Sequence, residues 1–320
     1  MTAMTEKSNN QKIHILLTQP VPEPIDQIMA REYEIHRLYQ ADNPENMLAE
    51  IGLLIQGVVT GGARGLPREI MAQLPQLKII AISGIGTDAV DLDLAARRDI
   101  YVTTTPQVLT DDVADMAMGL IITTLRRMSE AEHVVRTGRW PDTTLPLARK
   151  VSGARLGIIG LGQVGLAIAR RAEAFSMPIA YTSLAPRDDV DYPFMADIHA
   201  LARSVDVLVL AASADGGQVI VDAPVLDALG PEGYFINVAR GKLVDEAALV
   251  NALQQRQIAG AGLDVFAAEP RVPEALFSLP NVTLQPHRAS ATEQTRILMG
   301  QRVLENLAAC FNGQQPPHRV

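Results

Sequence analysis

The chain has 320 residues and a single cysteine, Cys310. One thiol closes no disulfide within the chain and supplies no thiolate cluster for a metal, which fits a reducing, cytoplasmic compartment. No apolar run reaches the roughly 18 residues that a membrane-spanning helix requires. The opening MTAMTEKSNN is polar and lacks the apolar centre of a secretion signal. It reads as a disordered leader of about ten residues. Basic charge is also short: 28 Lys and Arg stand against 36 Asp and Glu, a net charge of −8. That balance disfavours nucleic acid or an anionic membrane as a partner, while local cations remain able to attract a small anion. Internal repeats and low-complexity linkers are absent too, so domain boundaries have to come from topology.

What is present is ordinary for a globular enzyme-sized chain, with 48% hydrophobic and 20% charged residues. A chain this long makes roughly two lobes, each able to bury a core. Ile- and Val-rich runs alternate with helical patterns, as in α/β folds with parallel sheets. The first series of strand candidates is Lys12–Thr18, Glu34–Leu38, Leu53–Thr60, Lys78–Ser83 and Tyr101–Thr104. The second is Arg155–Gly160, Ile179–Ser183, Val205–Ala211, Tyr234–Ala239, Ile258–Val265 and Val282–Gln285. Between them Val113, Met116, Ala117, Leu120, Ile121 and Leu125 keep helical spacing. That spacing predicts one helix from Asp111 to about Thr137, stopped by Gly138. Such a helix, roughly 40 Å long, is long enough to bridge two lobes. The expected division is residues 106–289 as a dinucleotide-binding domain, with 1–105 and 290–320 forming a discontinuous substrate-binding domain.

Gly160-Leu161-Gly162-Gln163-Val164-Gly165 is a GxGxxG directly after an apolar strand and opening an amphipathic helix. Alone the spacing is weak. In this position each glycine meets a separate demand, namely a tight turn, close backbone approach to a pyrophosphate, and close packing of helix on strand. The helix start adds unpaired N–H groups for phosphate. A glycine-rich turn without a ligand is the alternative. About 20 residues on, an acid would bind the ribose 2′-OH of NAD. Here the sequence is IAYTSLAPRDD, with no acid after Tyr181 until Asp188, a hydroxyl at Ser183 and a cation at Arg187. Hydroxyl and guanidinium suit a 2′-phosphate, which favours NADPH, with NAD still possible. Arg187 could equally be a solvated loop residue, and Leu184 stands where a polar group is expected.

Three strand ends each carry one reactive side chain: Arg240 in NVARGK, Glu269 in LDVFAAEP and His287 in LQPHRAS. Read singly, they could be a surface cation, a loop acid and a satisfied polar residue. A metal ligand is the poorer reading of His287, since no second His or thiolate stands at ligand spacing. In open parallel sheets ligands bind outside the carboxyl ends of strands, so the three can converge. Together they match the reduction of a 2-keto acid. Arginine grips a carboxylate bidentately. An imidazolium protonates the carbonyl oxygen as hydride reaches carbon. A carboxylate beside the ring favours its charged form.

At this point SGIGTDAVDL, TTTPQVLTDDVADMAMGLI, GRW, GIIGLGQVG, FINVARGKLVDEAAL, GAGLDVFAAEP and LQPHRASATEQTR together resemble the D-isomer-specific 2-hydroxyacid dehydrogenase family. The likeness is strongest to its glyoxylate/hydroxypyruvate and hydroxyphenylpyruvate reductase branch. The resemblance implies two Rossmann-like lobes, the substrate lobe flavodoxin-like, with a cleft between them and a homodimer formed through the nucleotide lobes. It implies a small keto acid as substrate, with glyoxylate, hydroxypyruvate and 2-ketogluconate as candidates. It assigns Arg240 to the substrate, His287 to proton transfer and Glu269 to His287. It gives Ile85 and Gly86 to the substrate carboxylate through backbone N–H groups, and Ala239 and Asp264 to the cofactor. Trp140 is implied to reach a neighbouring subunit, with plain packing under the long helix as the alternative. Relatives that use NADPH often carry Ser-Arg after the second strand, where this chain has Ser183-Leu184. Two other readings stand beside this one: an NAD-dependent phosphoglycerate-type dehydrogenase, and a nucleotide-sensing corepressor-like protein.

Overall fold

Strands buried on both faces carry near-continuous apolar runs, and that is how the Ile- and Val-rich segments of this chain pair. The computed structural model describes residues 12–214 and 217–320, so the expected leader lies outside the described residues. By internal contacts the chain divides into two compact units, Met1–Val108 with Glu293–Val320, and Leu109–Thr292.

The first unit holds strands β1 (His14–Leu17), β2 (Glu34–Arg37), β3 (Ile55–Gly61), β4 (Ile79–Ser83) and β5 (Tyr101–Thr103). Its helices are α1 (Glu23–Glu32), α2 (Pro44–Ile51), α3 (Arg68–Ala72) and α4 (Leu92–Arg97). The sheet is parallel with order β2-β1-β3-β4-β5, the flavodoxin-like arrangement. Strands β3 and β4 are almost wholly buried because helices cover both faces. One face packs Leu16, Val58, Ile80 and Ile82 against Met71 and Leu74. The other packs Ile15, Leu17, Ile79 and Met29 against Val303 and Leu307. The last two belong to the C-terminal helix, Glu293–Phe311, which therefore completes this core. The tail beyond it runs antiparallel to β5, with Val320 N donating to Val102 O at 2.9 Å.

The second unit begins with α5 (Thr110–Leu125) and α6 (Met128–Arg136). Its sheet is β6 (Leu156–Ile159), β7 (Ile179–Thr182), β8 (Val207–Leu210), β9 (Tyr234–Asn237), β10 (Gly260–Leu263) and β11 (Val282–Leu284). Helices α7 (Gln163–Glu173), α8 (Ile198–Ser204), α9 (Ala223–Leu229) and α10 (Glu246–Gln254) connect them, and the helix Glu293–Phe311 is α11. The order is β11-β10-β9-β8-β6-β7, all parallel. The strand order reverses between β6 and β8, the place where such sheets open a crevice for a ligand. Helices α2, α4, α8, α9 and α10 each start on an Asn or Asp whose carboxyl or amide oxygen accepts a first-turn N–H.

The single long helix expected over Asp111–Thr137 is two helices instead. Arg127 adopts a left-handed backbone, φ 52° and ψ 39°, between α5 and α6. The break is held from both sides: Arg149 N donates to Leu125 O at 3.0 Å, and Arg127 Nε donates to Glu130 at 2.6 Å. Gly138, with φ 68°, follows the end of α6. Among the described residues no helix is long and apolar enough to cross a membrane.

Candidate active site

The glycine loop stands where β6 hands over to α7. Gly160 has φ 92°, and a Cβ there would lie 2.6 Å from Ala212 Cα beyond β8. A Cβ on Gly165 would lie 2.1 Å from Gly160 O, so the helix sits directly on the turn. Gly162 differs from both: nothing lies within 4 Å of a Cβ placed on it. It is the residue before α7, so the first N–H groups of that helix, at Gln163 and Val164, have no partner within the helix. A Cβ would fill the room that a closely approaching pyrophosphate needs, and the residues present fit a dinucleotide.

The loop after β7 is folded on itself. Ser183 Oγ donates to Ala185 O at 2.6 Å, and Leu184 is fully exposed. Arg187 is more than a solvated loop residue. Its backbone N donates to the buried Tyr181 hydroxyl at 2.7 Å, and its Nη1 donates to Leu161 O of the glycine loop at 2.9 Å. The other edge of the guanidinium meets Asp189, with Nε–Oδ1 at 2.9 Å and Nη2–Oδ2 at 2.5 Å.

At the end of β9, the buried Asn237 shapes the turn that presents Arg240. Asn237 Oδ1 accepts from Ala239 N at 3.0 Å, and its Nδ2 donates to Arg240 O at 3.2 Å. Arg240 Nη1 donates to Ala239 O at 2.7 Å. Gly241 follows because nothing larger fits: a Cβ would lie 1.9 Å from the Phe266 carbonyl carbon. That contact sets the Arg240 turn against the loop after β10, which carries Glu269.

Glu269 and His287 meet. Glu269 Oε2 lies 2.6 Å from His287 Nδ1, and its Oε1 accepts the Phe266 N–H at 3.0 Å. Burial works to raise the Glu269 carboxyl. The His287 hydrogen bond, the Phe266 N–H and the nearby charges of His287 and Arg240 together outweigh it and hold the group below its ordinary value. His287 has φ 51°, a left-handed backbone that non-glycine residues rarely adopt. Asp264 holds it there. The Asp264 carbonyl accepts His287 N at 2.8 Å, and its carboxylate accepts Arg288 N at 2.7 Å and Ala289 N at 3.0 Å. Burial raises the Asp264 carboxyl against those two donors.

Arg240, Glu269, His287, Asp264, Ala239 and the glycine loop thus all stand at the carboxyl edge of one sheet, in the second unit. Ile85 and Gly86 are in the first unit, in the loop after β4, where Gly86 lies against Gly62 of the loop after β3. Trp140 does not pack beneath a helix: it is 70% exposed, in a short 3-10 turn after α6. Sequence reading missed the roles of Asn237, Gly241 and Asp189. The signals were there in form, as a polar residue closing an apolar strand, a glycine after the arginine, and a second acid two residues past Arg187.

Residues 118–289 match the model of the D-isomer specific 2-hydroxyacid dehydrogenase NAD binding domain. The chain is 43% identical to the 2-ketogluconate reductase of Gluconobacter oxydans over 303 residues, 94% of this chain and 96% of that protein. It is 41% identical to the hydroxyphenylpyruvate reductase of Plectranthus scutellarioides, over 95% of this chain and 97% of that one. Among solved structures it resembles an NADPH-dependent glyoxylate/hydroxypyruvate reductase from Sinorhizobium meliloti in complex with NADP and malonate. There the TM-score is 0.87 at 41% identity, covering 97% of each chain. With a parallel sheet, a glycine loop at its strand-order reversal and an arginine, glutamate and histidine at its carboxyl edge, the chain belongs to the D-isomer-specific 2-hydroxyacid dehydrogenase family and is an NAD(P)-dependent oxidoreductase.

Proposed function

We propose that the protein is an NADPH-preferring reductase of small 2-keto acids, with glyoxylate and hydroxypyruvate first and 2-ketogluconate or aryl pyruvates behind them. The observation that carries this reading is the 2.6 Å contact of Glu269 with His287 Nδ1, at the same sheet edge as Arg240. With Nδ1 engaged, the other ring nitrogen, Nε2, is the one left to address a substrate. Arg240 binds the keto-acid carboxylate and steadies charge growing on the carbonyl oxygen. His287 delivers a proton to that oxygen, and Glu269 keeps the ring oriented beforehand. The nicotinamide, when bound, supplies the hydride that reaches the carbonyl carbon. Gly160, Gly162, Gln163, Val164 and Gly165 would hold its pyrophosphate, Ser183 and Arg187 a 2′-phosphate, and Ala239 and Asp264 the nicotinamide end.

Support for NADPH comes from the Arg187 contact with the glycine loop and from the NADP complex of the Sinorhizobium meliloti relative. The exposure of Trp140 supports a homodimer in which this side chain is covered by a second copy. The single cysteine supports a cytoplasmic location. A panel of keto acids assayed with NADH and NADPH by cofactor absorbance tests the reading. Oxidation of NADPH in preference to NADH with glyoxylate or hydroxypyruvate is expected. No oxidation with any keto acid would return the protein to a nucleotide-sensing role.

A further inference from the structure

We propose that Asp189 is a cofactor-specificity residue: an internal carboxylate that occupies the phosphate-gripping edge of Arg187 and so moderates discrimination between NADPH and NADH. The inference rests on the reading of Arg187 as the 2′-phosphate partner.

The guanidinium is fixed at one corner, where Nη1 donates to Leu161 O in the glycine loop. That bond and the Arg187 N–H to the Tyr181 hydroxyl place the side chain at the end of β7, where the cofactor's ribose is read in folds of this kind. Of the donors that remain, Nε and Nη2 form a two-pronged edge that grips phosphate and carboxylate alike. Asp189 sits on that edge with both oxygens, at 2.9 and 2.5 Å. Because the two residues are two positions apart on one loop, the carboxylate is always at hand, and a 2′-phosphate that takes this edge must displace it. Asp189 also brings a negative charge to the place where the phosphate's charge would go. Neither effect touches NADH, whose ribose 2′-OH needs no guanidinium. A carboxylate is instead the group that a 2′-OH donates to, and Asp189 retains that option once the chain lacks an acid directly after Tyr181. The Asp189 side chain is 64% exposed and Arg187's is 32%, so the pair is weak enough to open. Arg170, on α7, also lies near enough to act on the Asp189 carboxylate.

The test is a double-mutant cycle on the intact protein, with dissociation constants for NADPH and NADH read from nicotinamide fluorescence and melting curves confirming the fold. Asp189→Asn and Asp189→Ala should each tighten NADPH by about two- to fivefold, the range an exposed ion pair gives. NADH should be unmoved or weakened. The gain should shrink in an Arg187→Gln background, where only the direct charge repulsion is left to remove, and shrink in high salt. Unchanged NADPH binding in both Asp189 variants, or equal shifts for the two cofactors, overturns the proposal. Arg187→Gln alone separates the two layers. If it leaves the NADPH-to-NADH ratio unchanged, the phosphate role of Arg187 itself fails. If it collapses the ratio while the Asp189 variants do nothing, only the inference about Asp189 fails.

Discussion

Glu269 divides its two oxygens between different partners: Oε1 takes the N–H of Phe266 in its own loop, and Oε2 takes His287 Nδ1 from the next strand end. The carboxylate is therefore both the clasp of its loop and the orienting partner of the imidazole.

Replacing His287 with Ala removes the proposed proton donor while leaving the glycine loop untouched. Turnover of keto acid should fall by about 10²–10⁴, with cofactor binding retained. Steady-state rates and cofactor fluorescence measure the two separately, and near-normal turnover would remove His287 from the reaction.

Glu269→Gln keeps the shape of the group beside His287 and removes its charge. Its kcat for keto acid should fall by about tenfold or more with cofactor affinity unchanged. A wild-type kcat would deny Glu269 its role. Stability carries its own pH signature. The Glu269 carboxyl lies below its ordinary value of 4.5 in the folded protein. Its contribution is thus complete above that value and lost as pH falls through the folded one. The difference in Tm between wild type and Glu269→Gln should narrow under those acid conditions.

Arg240→Lys keeps a positive charge and loses the fork. The specificity constant for keto acid, kcat/KM, should drop by about 10- to 100-fold, with cofactor affinity close to wild type. Parallel losses in both would mean that the side chain supports the fold rather than the substrate.

Two glycines should respond in opposite ways to one added methyl group. At Gly162 the methyl meets no protein atom within 4 Å, so Gly162→Ala should fold normally and bind dinucleotide roughly tenfold or more weakly. At Gly241 it would press on the Phe266 backbone at 1.9 Å. Gly241→Ala should cost about 3 kcal/mol or more, a Tm drop of roughly 6–12 °C. A stable Gly241→Ala protein, or a Gly162→Ala protein with unaltered affinity, would contradict the geometry.

Much of this is legible in the residues alone. Each run of Ile and Val became a strand because burial on both faces leaves a plain apolar signature, although ends shortened, as at Ile258–Val265, which pairs only over Gly260–Leu263. The glycine spacing read well because each glycine answers a local steric demand. The split between α5 and α6 did not. No Gly or Pro marks Arg127, and the bond from Arg149 to Leu125 that ends α5 comes from a residue far along the chain. Arg187 was visible as a cation, but its engagement by Leu161 and Asp189 depends on how the loop folds back, which no spacing encodes. The support of His287 by Asp264 was hidden for the same reason, since it runs through backbone N–H groups that every residue but proline has.

The first unit is written in two pieces, and its core face of Ile15, Leu17, Met29 and Ile79 is covered by Val303 and Leu307 of α11. During synthesis that face emerges early and stays open while Leu109–Thr292 is made. The middle of the chain has all its own strands before the beginning can close. On a ribosome the nucleotide-type sheet therefore has every strand it needs before α11, which seals the N-terminal sheet, has been made.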